Sequence, residues 1–275
     1  MNKSIAVILP VYKNDKVAYL KESVESILKQ TYEDFFLYIG VDGPVEEELE
    51  YCLKEYDESG RIKVIWFPEN RGLACVLNDL LDVCFLGGYQ YVARMDADDI
   101  SCPDRFIRQM DYLNQHPDID VVGGAIDEID ESSNRLGKVI VYPETPDECR
   151  AFFAKRNPHA HPAVLFKKSF FDRLDGKMYR PEYRQNQDTM LWYDGMMAGT
   201  RHGNIPDVVL RFRMTDAMFK KRRNGWAFAK KQLEDRLMIN KGLGYSRLAD
   251  IYGFAMFCIL VSPVWLKKIA YRVLR

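Results

Sequence analysis

The chain has no pair of cysteines at C-x-x-C spacing. Its six cysteines, Cys52, Cys75, Cys84, Cys102, Cys149 and Cys258, are scattered over 275 residues. Neither a zinc knuckle nor a redox dithiol is indicated, and free thiols in a reducing, cytoplasmic setting are the simplest expectation. Long apolar runs are also missing. Ile5–Leu9 follows Lys3 as a signal peptide would begin, but the run stops at Pro10 after five residues, too short for a signal's apolar region. Residues 251–266 carry no charge but number only 16, against the roughly 20 that a spanning helix needs. There is no internal repeat, no low-complexity segment and no clear linker. Net charge is nearly absent, at −1.

What is present suits a folded enzyme-sized domain. Hydrophobic residues make up 47% and charged residues 29%, enough to bury a core and stay soluble. The charge is unevenly placed. Residues 201–275 hold 16 Lys or Arg against 5 Asp or Glu, a balance of +11, which leaves −12 for residues 1–200. A basic tail on an acidic body suggests that the tail meets something anionic.

The first 130 residues alternate strand and helix. Ile5–Leu9 is a continuous apolar run, as a strand buried on both faces requires. A helix is expected over 17–30, a strand over Phe35–Val41 ending in the turn Asp42-Gly43-Pro44, and a helix over 45–57. A strand over Ile62–Phe67, a helix over 72–86 and a strand over Tyr89–Met95 follow. Pro103 falls in the first turn of a helix that runs to about Gln115. Repeated β-α-β units imply a parallel sheet with helices on both faces. Ligands then bind beyond the carboxyl ends of the strands, which here are Pro10–Asn14, Asp42–Pro44 and Asp96–Asp99. Later, Asp118–Ile129, Lys138–Val141, Ala163–Phe166 and Val208–Met214 read as strands. Asn186–Met197 and 217–241 read as helices.

Arg94-Met95-Asp96-Ala97-Asp98-Asp99 places three carboxylates within four residues at a strand end. Carboxylates so crowded repel unless a cation sits among them. Mg²⁺ or Mn²⁺ does this with oxygen ligands and shares them with substrate phosphates. The plainer alternative is an acidic cap on the helix at Pro103.

With these motifs in order, the chain resembles a family 2 glycosyltransferase, the inverting group with the GT-A fold. The resemblance rests on Leu9–Asn14, on Ser26-Ile27-Leu28-Lys29-Gln30-Thr31, on Val41-Asp42-Gly43, on Asn70-Arg71-Gly72-Leu73-Ala74 with Asn78, and on Ala93–Ile100 with Pro103, Arg105, Phe106 and Gln109. It spans roughly residues 4–215. Val41 stands where the family usually has a first Asp. The fold implied is α/β, a Rossmann-like nucleotide-binding sheet with helices on both faces. Residues 1–215 would form this domain, with a donor half over about 1–115 and an acceptor half over about 116–215. Residues 216–275 would form a basic, amphipathic helical tail.

The resemblance implies roles. Pro10 and Tyr12 hold the nucleobase, and Asp42 accepts its ring N–H, which favours UDP; a turn-forming Asp is the alternative for Asp42. Asn70, Gly72 and Asn78 belong to the donor site. Asp96 binds the ribose and Asp98 the metal, while Asp99 either supports the metal shell or caps the next helix. Arg94 neutralises phosphate or holds Asp96. Gln187-Asp188-Thr189-Met190-Leu191-Trp192 resembles the family's ED-x-x-LW segment, with Gln187 replacing Glu and Asp188 as general base. In Asn157-Pro158-His159-Ala160-His161-Pro162, His161 fits a position near the donor sugar or diphosphate; a structural hydrogen bond is the alternative. Zinc is not expected there, for want of a third soft ligand.

The expected activity is transfer of one sugar from a UDP-sugar to a saccharide or lipid-linked acceptor in surface-polysaccharide assembly. Polymerisation is not expected, because the Gln-x-x-Arg-Trp signature is missing. A non-catalytic nucleotide-sugar-binding module of the same fold is the alternative. A sugar-nucleotide pyrophosphorylase is disfavoured, since no glycine-rich loop follows the first strand. The tail should rest on an anionic membrane at the inner face without crossing it; a C-terminal helix packed on the domain's own core is the alternative. Pro263 interrupts its apolar stretch, Trp265 and Tyr271 lie among Lys267, Lys268, Arg272 and Arg275, and Lys220–Arg223 precede Trp226 and Phe228. No nucleic-acid partner is expected.

Overall fold

A computed structural model describes residues 4–176, 178–215 and 226–262. The expectations for Lys220–Arg223, Pro263, Trp265, Lys267, Lys268, Tyr271, Arg272 and Arg275 lie outside the described residues. The first half follows the expected alternation: β1 (Ile5–Val11), α1 (Val17–Leu28), β2 (Phe35–Asp42), α2 (Glu47–Asp57), β3 (Ile62–Phe67), α3 (Leu73–Leu86) and β4 (Tyr91–Arg94). Next come β5 (Ile100–Ser101), α4 (Arg105–Gln115), β6 (Val121–Ile129), β7 (Arg135–Ile140) and α5 (Pro146–Phe153). A 3₁₀ turn at His161–Ala163 leads into β8 (Leu165–Lys167), α6 (Lys168–Asp172), α7 (Gln187–Met197) and β9 (His202–Arg213). The chain continues in α8 (Trp226–Leu243) and α9 (Arg247–Val261).

One sheet runs in the order β3-β2-β1-β4-β8-β6-β9-β5, with β7 added to β6. Strands β1 to β4 are mutually parallel, so their carboxyl ends share one edge. Val11 pairs with Val41 and Ile8 with Arg94, which sets the loops after β1, β2 and β4 side by side. Strand order reverses beside β1, the place where such sheets open a crevice. Helices pack both faces. One apolar cluster joins α1, α2 and α4 to the sheet; the other joins α3, α6, α7 and α8.

Several signature residues are structural staples. Gln30 Nε2 donates to the carbonyl of Cys102 at 2.7 Å and to Ser101 Oγ at 3.1 Å, while its Oε1 accepts from Phe106 N at 3.1 Å. It thereby satisfies an orphan N–H in the first turn of α4. Buried Arg105 donates through Nη2 to the carbonyls of Arg94 (2.9 Å) and Val164 (3.0 Å), where β4 and β8 part. Pro103 lies outside the first turn of α4, which begins at Arg105 after Asp104. Helix α8 packs on the body, with Ile239 and Leu243 in its core. Among the described residues, no helix is long and apolar enough to cross a membrane.

Candidate active site

The loop after β4 carries Asp96, Asp98 and Asp99, each with a carboxylate oxygen within 4.8 Å of the others. None of the three caps α4, whose capping residue Asp104 makes no side-chain cap bond. Asp99 is 1% exposed. Its Oδ1 accepts from the backbone N–H of Arg213 at 2.8 Å, and its buried Oδ2 has no hydrogen-bond partner among the described residues. Burial, and then the negative charges of Asp98 and Asp96, pushes the Asp99 carboxyl well above the usual carboxylate range. A buried, unpartnered carboxylate oxygen among two more carboxylates is a donor set of hard oxygens only. It fits Mg²⁺ or Mn²⁺ and does not fit a soft metal.

Arg94 is buried and ion-paired with Asp96. Its Nε and Nη1 have no hydrogen-bond partner among the described residues. Burial works against its charge, but the Asp96 carboxylate outweighs it and the net shift is upward. The Asp96 carbonyl accepts from Ser23 Oγ at 2.8 Å, anchoring the loop to α1.

On the β2 side, the Asp42 carboxylate accepts from Arg71 N at 2.8 Å and Gly72 N at 2.9 Å, and its carbonyl accepts from Asn70 Nδ2 at 3.0 Å. Asp42 therefore organises the turn into α3. Gly43 and Gly72 both have positive φ, +84° and +94°. A Cβ on Gly43 would lie 2.7 Å from Asn70 N, and one on Gly72 would lie 2.7 Å from Arg184 Nη1. Pro10 pairs in register with Gly40 beside this turn. The half-buried Tyr12 follows it, with its N–H on Asp15 Oδ2 at 2.8 Å.

Asn78 leaves its side chain on the backbone of Tyr179, donating to its carbonyl at 2.8 Å and accepting from its N–H at 2.9 Å. Tyr179 is the residue that sequence reasoning missed. It is 1% exposed, and its hydroxyl lies 2.7 Å from His161 Nε2. Burial first pushes that hydroxyl's pKa above its ordinary value; the Arg94 charge opposes this, and Asp188 and Asp96 add to it. Burial first, then the Arg94 charge, keeps His161 neutral. His159 points elsewhere, into a buried chain with His202 (3.0 Å) and Asn204 (2.8 Å).

Asp188 sits half-buried in the first turn of α7. Asn157 Nδ2 donates to its Oδ2 at 3.0 Å, and Asn157 Oδ1 accepts from Thr189 Oγ1 at 3.0 Å. Asn157 thus orients the carboxylate, another role that the sequence gave no direct sign of. The preceding Asn186 takes a left-handed φ of 62° and donates to Asp235 of α8 at 3.3 Å. Strain of this kind concentrates at functional loops.

Residues 6–184 match the model for glycosyl transferase family 2. The amylovoran biosynthesis glycosyltransferase AmsE of Erwinia amylovora is 30% identical over 229 residues, covering 83% of each chain. The UDP-Gal:alpha-D-GlcNAc-diphosphoundecaprenol beta-1,3-galactosyltransferase of Escherichia coli is 28% identical over 217 residues, covering 79% of this chain and 76% of that one. The crystal structure of S. aureus TarS 1-349 in complex with UDP-GlcNAc superposes with a TM-score of 0.65 at 14% identity, covering 94% of this chain and 82% of that one. The chain belongs to glycosyltransferase family 2. It has the GT-A fold and is a glycosyltransferase.

Proposed function

We propose that this enzyme moves one sugar, with inversion, from a UDP-sugar to a saccharide or lipid-linked acceptor in cell-surface polysaccharide assembly. The observation that carries the reading is the oxygen-only cluster of Asp96, Asp98 and Asp99, with buried Arg94 ion-paired to Asp96 beside it. The named relatives act in polysaccharide and lipid-linked sugar assembly, and a neighbour of the same fold binds UDP-GlcNAc. These support the choice of donor and acceptor class.

In this reading the nucleobase lies against Tyr12 and Pro10, near the turn that Asp42 organises. Asp96 meets the ribose, and Asp98, with Asp99 behind it, holds Mg²⁺ or Mn²⁺. When bound, that ion offsets charge on the departing diphosphate. The unpartnered N–H groups of Arg94 supply fixed positive charge in the same corner. Asp188, aimed by Asn157, takes the proton from the acceptor hydroxyl as its oxygen bonds to the sugar's anomeric carbon and the bond to the diphosphate breaks. Neutral His161, held by Tyr179, offers a hydrogen bond without adding charge. The enzyme works peripherally at the inner face of the membrane, where a lipid-linked acceptor presents its hydroxyl.

A thermal-shift screen of nucleotide-sugars tests this. A UDP-sugar at about 100 times its Kd should stabilise the protein by about 2.7 kcal/mol in the presence of Mn²⁺. Stabilisation that survives chelation, or that no UDP-sugar produces, counts against it.

A further inference from the structure

The two C-terminal helices carry a surface that the sugar chemistry does not use. The Trp226 ring, at the start of α8, meets Phe257 near the end of α9 edge-on, with centroids 5.1 Å apart. The chain therefore enters α8 and leaves α9 at the same end of the pair. On the inner side, Ala229, Ile239 and Leu243 of α8 and Ala249 and Gly253 of α9 are buried. On the outer side, Leu248, Ile251, Phe254 and Val261 are 75%, 63%, 52% and 40% exposed, and Trp226 is 65% exposed. The α9 residues among them are spaced by three, three and seven, which places them along one stripe of that helix. Exposed Ala255 and Cys258 lie between them. A continuous apolar strip of this length marks an interaction surface.

Charge decides what covers it. Lys220-Lys221-Arg222-Arg223 precede Trp226 by three residues, and Lys267, Lys268, Arg272 and Arg275 follow within fourteen residues of Val261. These two basic segments flank the helix pair in the sequence, one before α8 and one after α9. Exposed Arg247 adds to the outer face. The acids nearby are already engaged: Asp250 with Asn240 Nδ2 at 2.9 Å, and Glu234 with Lys230 at 3.7 Å. A second copy of the chain would bring like charge against like charge. An anionic bilayer meets both requirements, accepting the apolar stripe and attracting the basic segments.

We propose that the outer stripe of α9, with Trp226, is the surface that rests on an anionic membrane. The inference rests on the peripheral-membrane reading above and names the face that serves it. The surface is braced to the candidate base: Asp235 of α8 accepts from Tyr183 Oη at 3.2 Å and from Asn186, the residue that caps α7.

The test uses the full chain and sedimentation with vesicles of phosphatidylcholine alone or mixed with phosphatidylglycerol. The wild type should bind only the mixed vesicles and release at high salt. The double variant Ile251→Glu/Phe254→Glu should lose on the order of tenfold in binding, with circular dichroism and melting unchanged. If that variant misfolds, Phe254→Ser alone should still weaken binding measurably. A wild type that binds while the folded variants bind equally well overturns this face and leaves the peripheral reading standing. A wild type that binds neither vesicle overturns both. Concentration-dependent dimers that the variants dissolve, without vesicle binding, would assign the stripe to a second copy instead.

Discussion

Arg213 holds the aspartate loop twice: its backbone N–H donates to Asp99 Oδ1 at 2.8 Å, and its Nε donates to the Asp98 carbonyl at 2.7 Å. Its Nη1 reaches Asp130 O at 3.2 Å and Ser133 Oγ at 2.9 Å, and Nη2 pairs with Glu22. The guanidinium stacks over Tyr19 at 4.2 Å and is almost wholly buried. One residue at the end of β9 thus ties the carboxylate loop to α1 and to the β6–β7 hairpin.

Lysine cannot reproduce that fork, because it offers a point charge on a flexible stem. Arg213→Lys should weaken Mn²⁺ binding about tenfold, or about 1.4 kcal/mol, as read by calorimetric titration. A lower melting temperature with unchanged Mn²⁺ affinity would make Arg213 a scaffold residue only.

Asp98→Ala should abolish Mn²⁺-dependent donor binding and leave the fold intact. The Arg213 bond goes to the Asp98 main chain, so it survives the truncation. Nucleotide-sugar titration with and without chelator reads the effect. Full transfer activity in the variant would remove Asp98 from the metal site.

Asp188→Asn should spare UDP-sugar binding and lower turnover by about 10²–10⁴-fold, the usual cost of a lost general base. The amide oxygen can still accept from Asn157, so the local geometry should persist. Equal losses in binding and turnover would instead make Asp188 a binding residue.

The parallel half of the fold was legible because its strands are short, mostly apolar runs bounded by turn residues: Ile62–Phe67 matches to the residue, and β1, β2 and α3 to within two. The later half was less so. Helix α5 was missed although Thr145-Pro146-Asp147-Glu148 spells a capping box with Pro at the first turn, and both reciprocal bonds form. Strand β9 begins at His202, well before Val208, because the polar residues His202 and Asn204 face a buried hydrogen-bonded chain and so break the apolar pattern. In the site, the carboxylate triplet could be read because its spacing is local. Tyr179, Asn157 and Arg213 could not, since each acts through a partner distant in sequence.

That buried chain also sets a pH dependence. Asn204 Oδ1 accepts from His159, which in turn accepts from His202, and His202 accepts from Thr200 at 2.9 Å. Burial pulls His159 down to about 4 and His202 well below its ordinary value. Both are neutral when folded, so the unfolded chain binds more protons below its own histidine value of about 6.5. Stability should be full above that pH and fall as pH drops towards 4, by about 3 kcal/mol for His159 alone. Urea melts at pH 7.5 and pH 5 check this, and equal midpoints would contradict it.

In the proposed mechanism the carboxylates after β4 would grip the donor diphosphate through a divalent cation. Crystals grown with a UDP-sugar and Mn²⁺, measured for manganese anomalous scattering, test this most directly. The predicted result is one strong peak at about 2.0–2.3 Å from an Asp98 carboxylate oxygen, with the diphosphate on its far side and the uracil against Tyr12. Bound nucleotide with no anomalous peak at Asp98 would contradict it.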